Sequence, residues 1–380
     1  MKKPLVLAVL CSLGGGGAEK VFVDLVEALR DRWDFRVVLT AARDPGVYGE
    51  RLEKLGVPVD ILPSYRRFGR FRKMIPLRRL ALRTKPDVVL SFLWTNNAVV
   101  PLALAGTGIP VVTSERNDLR SEFAKDDLHP GLYHRLYRRV VRSRLVRTIV
   151  AVSEGIADEL RNDFRAKPEV VAITNGVDVG KIAEAAREPL PPEAEGVFAK
   201  PSIVAVGRLA PQKNLSLLLR AVARGGSETR KANLVLVGRG PLEEDLKREA
   251  GELGVSDRVF FAGFRENPHA WASRADVYAM SSDFEGFPNA LAEAMFSNGH
   301  CVSTDCPTGP SEIVEDGRSG LLVPVGDEAA LAGALERMLS DEGLRETCAR
   351  NAKAWAEANS AAKKIELWET VLVRAMEAKR

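Results

Sequence analysis

Short apolar runs alternate with helix-spaced segments along almost the whole chain. The runs at 5–10, 35–39, 57–62, 88–92, 110–113, 148–152 and 170–173 are rich in β-branched and aliphatic residues and do not alternate with polar ones. That is the pattern of strands buried on both faces of a parallel sheet. Between them, Val21, Phe22, Leu25, Val26 and Leu29 set an apolar stripe on a helix over 18–30, and 77–83, 132–141 and 154–162 read the same way. Residues 180–201 break the rhythm. They hold Pro189, Pro191, Pro192 and Pro201 with several acids, and 186–201 reads as a linker. The cycle then restarts, with strands expected at 203–206, 234–237, 259–262, 277–280, 301–303 and 320–323. Helices are expected at 215–223, 242–253, 290–296 and 329–339. Two stretches of one βα type predict an α/β protein with two doubly wound Rossmann-like domains, 1–185 and 202–358, and a cleft between them. The segment 359–380 carries Ile365, Trp368, Leu372 and Met376 at helical spacing and reads as a docking helix.

The N-terminus allows a second reading. Lys2 and Lys3 followed by the apolar run 5–13 resemble the start of a signal peptide. Gly14–Gly17 lead straight into the first helix, however, and strand, glycine turn and helix form one unit that cleavage would destroy. The run is therefore read as the first strand. No segment reaches the ~18 apolar residues of a membrane span. The best, 98–112, is broken by Pro101, Gly106, Gly108 and Pro110.

Composition narrows the class. A length of 380 residues suits two domains, and 46% apolar with 28% charged residues excludes a disordered or collagen-like chain. Cys11, Cys301, Cys306 and Cys348 form no CxxC pair, so neither a zinc site nor a disulfide framework is expected and a reducing cytosol fits. The net charge of +4 is uneven. Residues 1–185 hold 31 basic against 22 acidic side chains, and the remainder 24 against 29. The first half is thus suited to an anionic partner: a phosphate-bearing substrate, a membrane surface or nucleic acid.

Three loops could carry chemistry. Gly14-Gly15-Gly16-Gly17-Ala18-Glu19 joins the first strand to the first helix, where a close backbone and free N–H groups suit an anion, although a plain turn explains it too. It lacks the spacing of a dinucleotide fingerprint and the Lys-Ser/Thr of a P-loop. Gly207-Arg208-Leu209-Ala210-Pro211-Gln212-Lys213-Asn214 follows the first strand of the second domain, the edge at which open α/β sheets bind ligands. Arg208 and Lys213 there can neutralise a diphosphate. Glu285-Gly286-Phe287-Pro288-Asn289-Ala290 precedes an apolar helix, with Pro288 suited to its first turn and the N–H groups of Phe287, Asn289 and Ala290 open to an anion. Glu285 and Glu293 beside such a site suit sugar hydroxyls better than phosphate. No Asp-x-Asp occurs, which argues for a diphosphate held by cations rather than metal.

Together these motifs resemble the retaining glycosyltransferases of family four. The likeness rests on Glu285-x7-Glu293, Gly207-Arg208-Leu-x3-Lys213-Asn214, Asn175-Gly176-Val177-Asp178, the N-terminal Gly-Gly-Gly-Ala-Glu, and the run Asp305-Cys306-Pro307-Thr308-Gly309-Pro310-Ser311-Glu312-Ile313. It implies the GT-B fold, with the last helix docking back towards the first domain. It implies no cofactor and no metal, with a nucleotide-diphosphate sugar, UDP-sugar by preference, as co-substrate. Arg208 and Lys213 take the donor diphosphate, Glu293 the ribose and Glu285 the transferred sugar. Phe287, Asn289 and Ala290 support phosphates and sugar through N–H groups, Gly16 lets the first loop reach the β-phosphate, and Gly263 and Phe264 lie beside the base. Many members carry a His after the strand corresponding to 110–113. Here the run is Ser114-Glu115-Arg116-Asn117-Asp118, and none of the four histidines takes that place. Asn117 can hydrogen-bond a sugar, and Asp118 suits either an acceptor or a helix cap. The departing phosphate itself can take the acceptor proton.

The acceptor is sought in the basic half. Residues 65–80 contain seven basic side chains, no acid and three aromatics, and 135–147 carry six arginines among apolar positions. Both read equally as amphipathic helices with a solvated face. Through the resemblance they suit a polyprenyl-diphosphate- or lipid-linked glycan and an anionic membrane surface, with Arg66, Arg70, Arg72, Lys73 and Arg116 as acceptor residues. The protein is then cytoplasmic and peripheral to the inner face of the membrane. A sugar-nucleotide epimerase of the same architecture and a basic single-strand nucleic-acid binder are the alternatives. No nucleic-acid motif appears, and the second half is acidic.

Overall fold

In a computed structural model, residues 2–14, 16–42, 44–62, 72–124, 130–194 and 196–377 are described. The chain divides into two compact units, one of residues 1–175 with 363–380 and one of 176–362. The first unit contains a seven-stranded sheet of order β3-β2-β1-β4-β5-β6-β7. Its strands are β1 Leu5–Leu10, β2 Asp34–Leu39, β3 Val59–Ile61, β4 Val88–Phe92, β5 Val111–Glu115, β6 Thr148–Ala151 and β7 Glu169–Ala172. The second contains a six-stranded sheet of order β10-β9-β8-β11-β12-β13. It comprises β8 Ser202–Val206, β9 Asn233–Val237, β10 Val259–Gly263, β11 Val277–Met280, β12 Cys301–Thr304 and β13 Leu321–Val323. All the strand pairs are parallel.

Successive side chains of a strand point to opposite faces, so an all-apolar strand needs cover on both. In β1, Val6, Ala8 and Leu10 pack under Phe22, Leu25, Val26 and Leu29 of the helix Gly17–Leu29. Leu7 and Val9 face Leu77, Leu80 and Ala81 of the helix Met74–Thr84 on the other side. The last helix, Ala361–Glu377, adds Trp368, Val371, Leu372 and Ala375 to the first of these clusters, with Trp368 stacked on Phe92 at 6.1 Å between ring centres. The tail thus belongs to the first unit's core. Among the described residues no helix is long and apolar enough to cross a membrane.

The division between units differs from the expected boundaries, for two reasons. Val177 N–H donates to Asn359 at 2.9 Å, Ala361 N–H donates back to Val177 at 3.0 Å, and a Cβ on Gly176 would meet Ala361 Cα at 2.3 Å. The second unit therefore begins at Gly176. The expected linker is also part of that unit. Leu190, Ala194, Val197 and Phe198 cover the Val204 face of its sheet around Trp271, so the prolines shape a packed segment rather than a tether.

Candidate active site

The loops after β8 and β11 leave the second sheet where its strand order reverses, the position at which open α/β sheets form ligand crevices. Backbone bonds extend the ladder beyond the strands. Gly238 N–H donates to Gly263 at 2.8 Å, and Gly207 N–H to Val237 at 2.9 Å. Gly238 holds φ +149°, and a Cβ there would lie 1.8 Å from the Gly207 carbonyl oxygen. Only glycine allows these loops to close so tightly.

The loops at 207–214 and 281–288 are stitched together. Asn214 caps the helix Leu215–Arg224 and donates through Nδ2 to Asp283 at 2.7 Å. Ser281 Oγ donates to the Lys213 carbonyl at 2.8 Å, and Asp283 N–H to that of Gln212 at 2.9 Å. These bonds bring Lys213 to Glu285, with Nζ 2.5 Å from Oε1. Glu285 is buried, and Gln212 Nε2 lies 3.4 Å from its other carboxylate oxygen. Thr308 Oγ1 donates to the Glu285 carbonyl. A Cβ on Gly309, at φ +103°, would meet Pro288 at 2.6 Å, so the run 305–313 props the Glu285 loop from behind. A buried carboxylate is costly unless a cation and hydrogen bonds face it, and Glu285 has both.

The other expected residues of this unit surround that pair. Arg208 is exposed and lines a hollow with Gly207, Lys213, Ser281 and Ser282. Glu293 and Ala290, on the helix Asn289–Ser297, line a neighbouring hollow that shares Val206. Pro288 stands at the N-cap, one residue outside the first turn expected for it, and Phe287 is buried. Gly263 ends β10 at φ +70°, and the Phe264 ring beside it is 62% exposed. Gln212 and Thr308 are the polar partners that motif reading passed over. Both lay inside quoted runs, but their bonds to Glu285 span 73 and 23 residues.

The first-unit residues have different surroundings. Gly16, expected to let the first loop approach a phosphate, donates its N–H to the Glu19 carboxylate at 2.6 Å. Asp118 accepts from Ser121 N–H at 2.7 Å and caps the helix Leu119–Ala124, the cap of its two readings. Asn117 Nδ2 donates to Glu122 at 3.0 Å. Arg116 is buried and donates to Asn175, which accounts for the asparagine of Asn-Gly-Val-Asp, while Asp178 caps the helix Val179–Ala185. Burial draws the Arg116 guanidinium down to about 9, still charged at neutral pH. Arg72 and Lys73 precede the helix Met74–Thr84, and Lys73 donates to the Thr40 carbonyl. Arg66 and Arg70 lie outside the described residues. Among the described residues no group of three or more His, Cys, Asp or Glu is arranged to hold a metal ion.

Two Rossmann-like units with a buried, cation-paired carboxylate at the second sheet's crevice define a class that comparison with known proteins identifies. Residues 15–181 match the family described as Glycosyltransferase Family 4, and residues 194–355 match Glycosyl transferases group 1. The lipopolysaccharide core biosynthesis glycosyltransferase LpsE of Rhizobium meliloti is 30% identical over 87% of this chain and 87% of its own. A Campylobacter jejuni enzyme is 28% identical over 91% of this chain and 93% of its own. It is named N-acetylgalactosamine-N,N'-diacetylbacillosaminyl-diphospho-undecaprenol 4-alpha-N-acetylgalactosaminyltransferase. Among solved structures, Anabaena HepE in complex with UDP superposes with a TM-score of 0.82 at 22% identity, covering 98% of this chain and 100% of HepE. The chain belongs to the glycosyltransferases of this family and has the GT-B fold.

Proposed function

We propose that this glycosyltransferase is a retaining enzyme that moves a hexose or N-acetylhexosamine from a UDP-sugar to a lipid-linked glycan, with protein cations rather than a metal at the diphosphate. The observation that carries this reading is the Lys213–Glu285 pair at 2.5 Å, held at the sheet crevice by Gln212 and Thr308. In it, Lys213 and the exposed Arg208 take the diphosphate, and N–H groups at 287–290 support phosphates and sugar. Glu285 accepts from hydroxyls of the transferred sugar, and Glu293 from the ribose. The Phe264 ring, beside Gly263, offers an exposed face to the base.

The bond between the anomeric carbon and the diphosphate oxygen breaks, and the acceptor hydroxyl oxygen bonds to that carbon on the same face. Its proton passes to the departing phosphate oxygen, which leaves UDP and the extended glycan. No side chain needs to form a covalent intermediate. Asn117 holds the acceptor sugar, and Arg72 and Lys73 serve the acceptor's phosphate. Relatives named for a diphospho-undecaprenol substrate and for lipopolysaccharide core biosynthesis support the lipid-linked acceptor, and such an acceptor in turn calls for a peripheral place on the membrane's inner face.

A panel of nucleotide sugars tests the donor, because a ligand that binds the folded form raises the melting temperature by mass action. UDP-sugars are expected to shift it most. Turnover of the best donor should survive excess EDTA, and NMR of the product should show the donor's anomeric configuration. An inverted product, or an absolute need for a divalent ion in the chemical step, would sink the proposal.

A further inference from the structure

The helix Met74–Thr84 keeps different company on its two sides. Met74 and Leu77 turn inward, where with Leu62, Val99 and Val100 they wall a pocket of about 230 Å³. Ile75, Arg79 and Leu82 face away and are exposed, Ile75 by 59% and Leu82 by 49%. The pocket lies at the ends of β2, β1 and β4, at the point where the first sheet's strand order reverses. Cys11 follows β1, Thr40 and Ala41 follow β2, and Thr95 and Asn96 stand on the turn of helix after β4. That turn is entered through Leu93 at φ +70°, a conformation that costs a bulky residue energy and recurs at functional sites. Among the described residues lining the pocket, Lys73 carries the single charge, and it stands at the polar end, on the Thr40 carbonyl.

We infer that this pocket receives the isoprenoid segment next to the diphosphate of a polyprenyl-diphosphate acceptor, with Lys73 meeting the diphosphate. The inference rests on the lipid-linked acceptor proposed above. Size sets the occupant: the volume is below the roughly 300–1,000 Å³ of pockets that enclose a whole ligand, so it suits a short piece of a longer one. Charge complementarity sets its head, since among the described lining residues one ammonium borders uncharged side chains. The outer face of the same helix sets the direction of approach. Apolar Ile75 and Leu82 between arginines suit the headgroup layer, so a chain leaving the bilayer beside this helix reaches the pocket on its inner side.

Cys11 provides a direct readout. It is partly exposed and lines the pocket, with Sγ 3.4 Å from Thr95 Oγ1, whereas Cys301, Cys306 and Cys348 are buried. Iodoacetamide labelling of the full chain, followed by mass spectrometry, therefore reports occupancy at one thiol. Farnesyl diphosphate is expected to slow Cys11 labelling by about tenfold or more, farnesol less, decyl diphosphate less than farnesyl diphosphate, and inorganic diphosphate hardly at all. Ala41→Phe, at an exposed position on the wall, should raise the protecting concentration by about tenfold with an unchanged melting temperature. Lys73→Gln should weaken protection by farnesyl diphosphate and leave that by farnesol unchanged. Equal protection by inorganic diphosphate, protection unaltered in Ala41→Phe, or none at all overturns the pocket assignment. If decyl diphosphate protects equally well, the isoprenoid is the wrong occupant. The acceptor reading is judged separately, by comparing a polyprenyl-linked glycan with the free glycan as acceptors. Preference for the former without Cys11 protection removes the pocket alone, and protection without preference removes the lipid-linked acceptor alone.

Discussion

Glu285 and Glu293 are close in sequence but differ in surroundings. Glu285 is buried against Lys213, whereas Glu293 is half-buried on a helix face that lines a separate hollow. In the proposed roles, Glu285 at the sugar and Glu293 at the ribose, they should fail differently when changed. Glu285→Ala should lower kcat strongly, while Glu293→Gln should chiefly raise the donor KM. Lys213→Ala should weaken donor binding by about 1.5–3 kcal/mol, the range for hydrogen bonds to charged groups. It also leaves a buried carboxylate without its cation, so Lys213→Arg is the variant that separates lost charge from lost geometry. Steady-state kinetics with varied donor decide the matter, and identical profiles for the two glutamate variants would refute the division of roles. Most of these residues were legible in the sequence because each stands in a short run with glycine or proline beside it. What fastens them was not. Gln212 and Thr308 reach Glu285 only after loops from three strands have converged.

At the scale of elements, Glu115 joins three of them. It ends β5, accepts from Tyr137 Oη of the helix Pro130–Val141 at 2.7 Å, and accepts from Asn97 Nδ2 after β4 at 2.8 Å. Burial pushes its carboxyl up to about 8, against the two hydrogen bonds, and pushes that of Glu159 up to about 7. An unfolded chain releases both protons near the ordinary value of 4.5, so across the interval up to about 8 the folded state binds more protons. Stability is then full below 4.5 and falls as pH rises through 8, by on the order of a few kcal/mol. Glu115→Gln keeps an oxygen for both donors and removes the titration. Its unfolding free energy, measured by denaturant between pH 5 and 8, should decline less than that of the wild type, and equal slopes would count against a protonated Glu115. Such a knot is invisible in sequence, because Asn97, Glu115 and Tyr137 come from separate βα units. Strands and most of the longer helices were visible, since continuous apolar runs and helical stripes survive any arrangement of the sheet. The helix Glu342–Ala358 escaped because its inward stripe is Leu344, Cys348, Ala352 and Ala356, mostly small residues without a strong apolar signal. The helix also runs close to the turn before β12, where a Cβ on Gly299 would come within 2.8 Å of the Ala349 backbone.

For the whole molecule, the uneven charge becomes a surface. The excess of 31 basic over 22 acidic residues up to 185 includes exposed Arg72, Arg79 and Arg83 around Ile75 and Leu82. It also includes exposed Arg135, Arg139 and Arg144 on and after the helix that begins near the 57%-exposed Leu132. Arg138 and Arg142 of the same run are partly committed to the fold, one over the Phe164 ring at 4.6 Å and the other on the Phe164 carbonyl at 2.8 Å. The basic run therefore divides into arginines that hold structure and arginines that face solvent. Near an anionic bilayer each of the latter is worth about 1 kcal/mol, screened beyond a Debye length of about 8 Å at physiological salt. Changing Arg72, Arg79 and Arg83 together to Gln should lower binding to anionic liposomes by about a hundredfold at low salt, and the difference should shrink as salt rises. Lys at the same positions should restore binding, because a point charge suffices at a membrane surface. The nucleotide-sugar response of the second unit should not change. Co-sedimentation with phosphatidylglycerol and neutral phosphatidylcholine vesicles measures the first effect, and binding to single-stranded DNA measures the competing one. Loss of DNA binding with liposome binding intact would turn the basic face towards nucleic acid and away from the membrane.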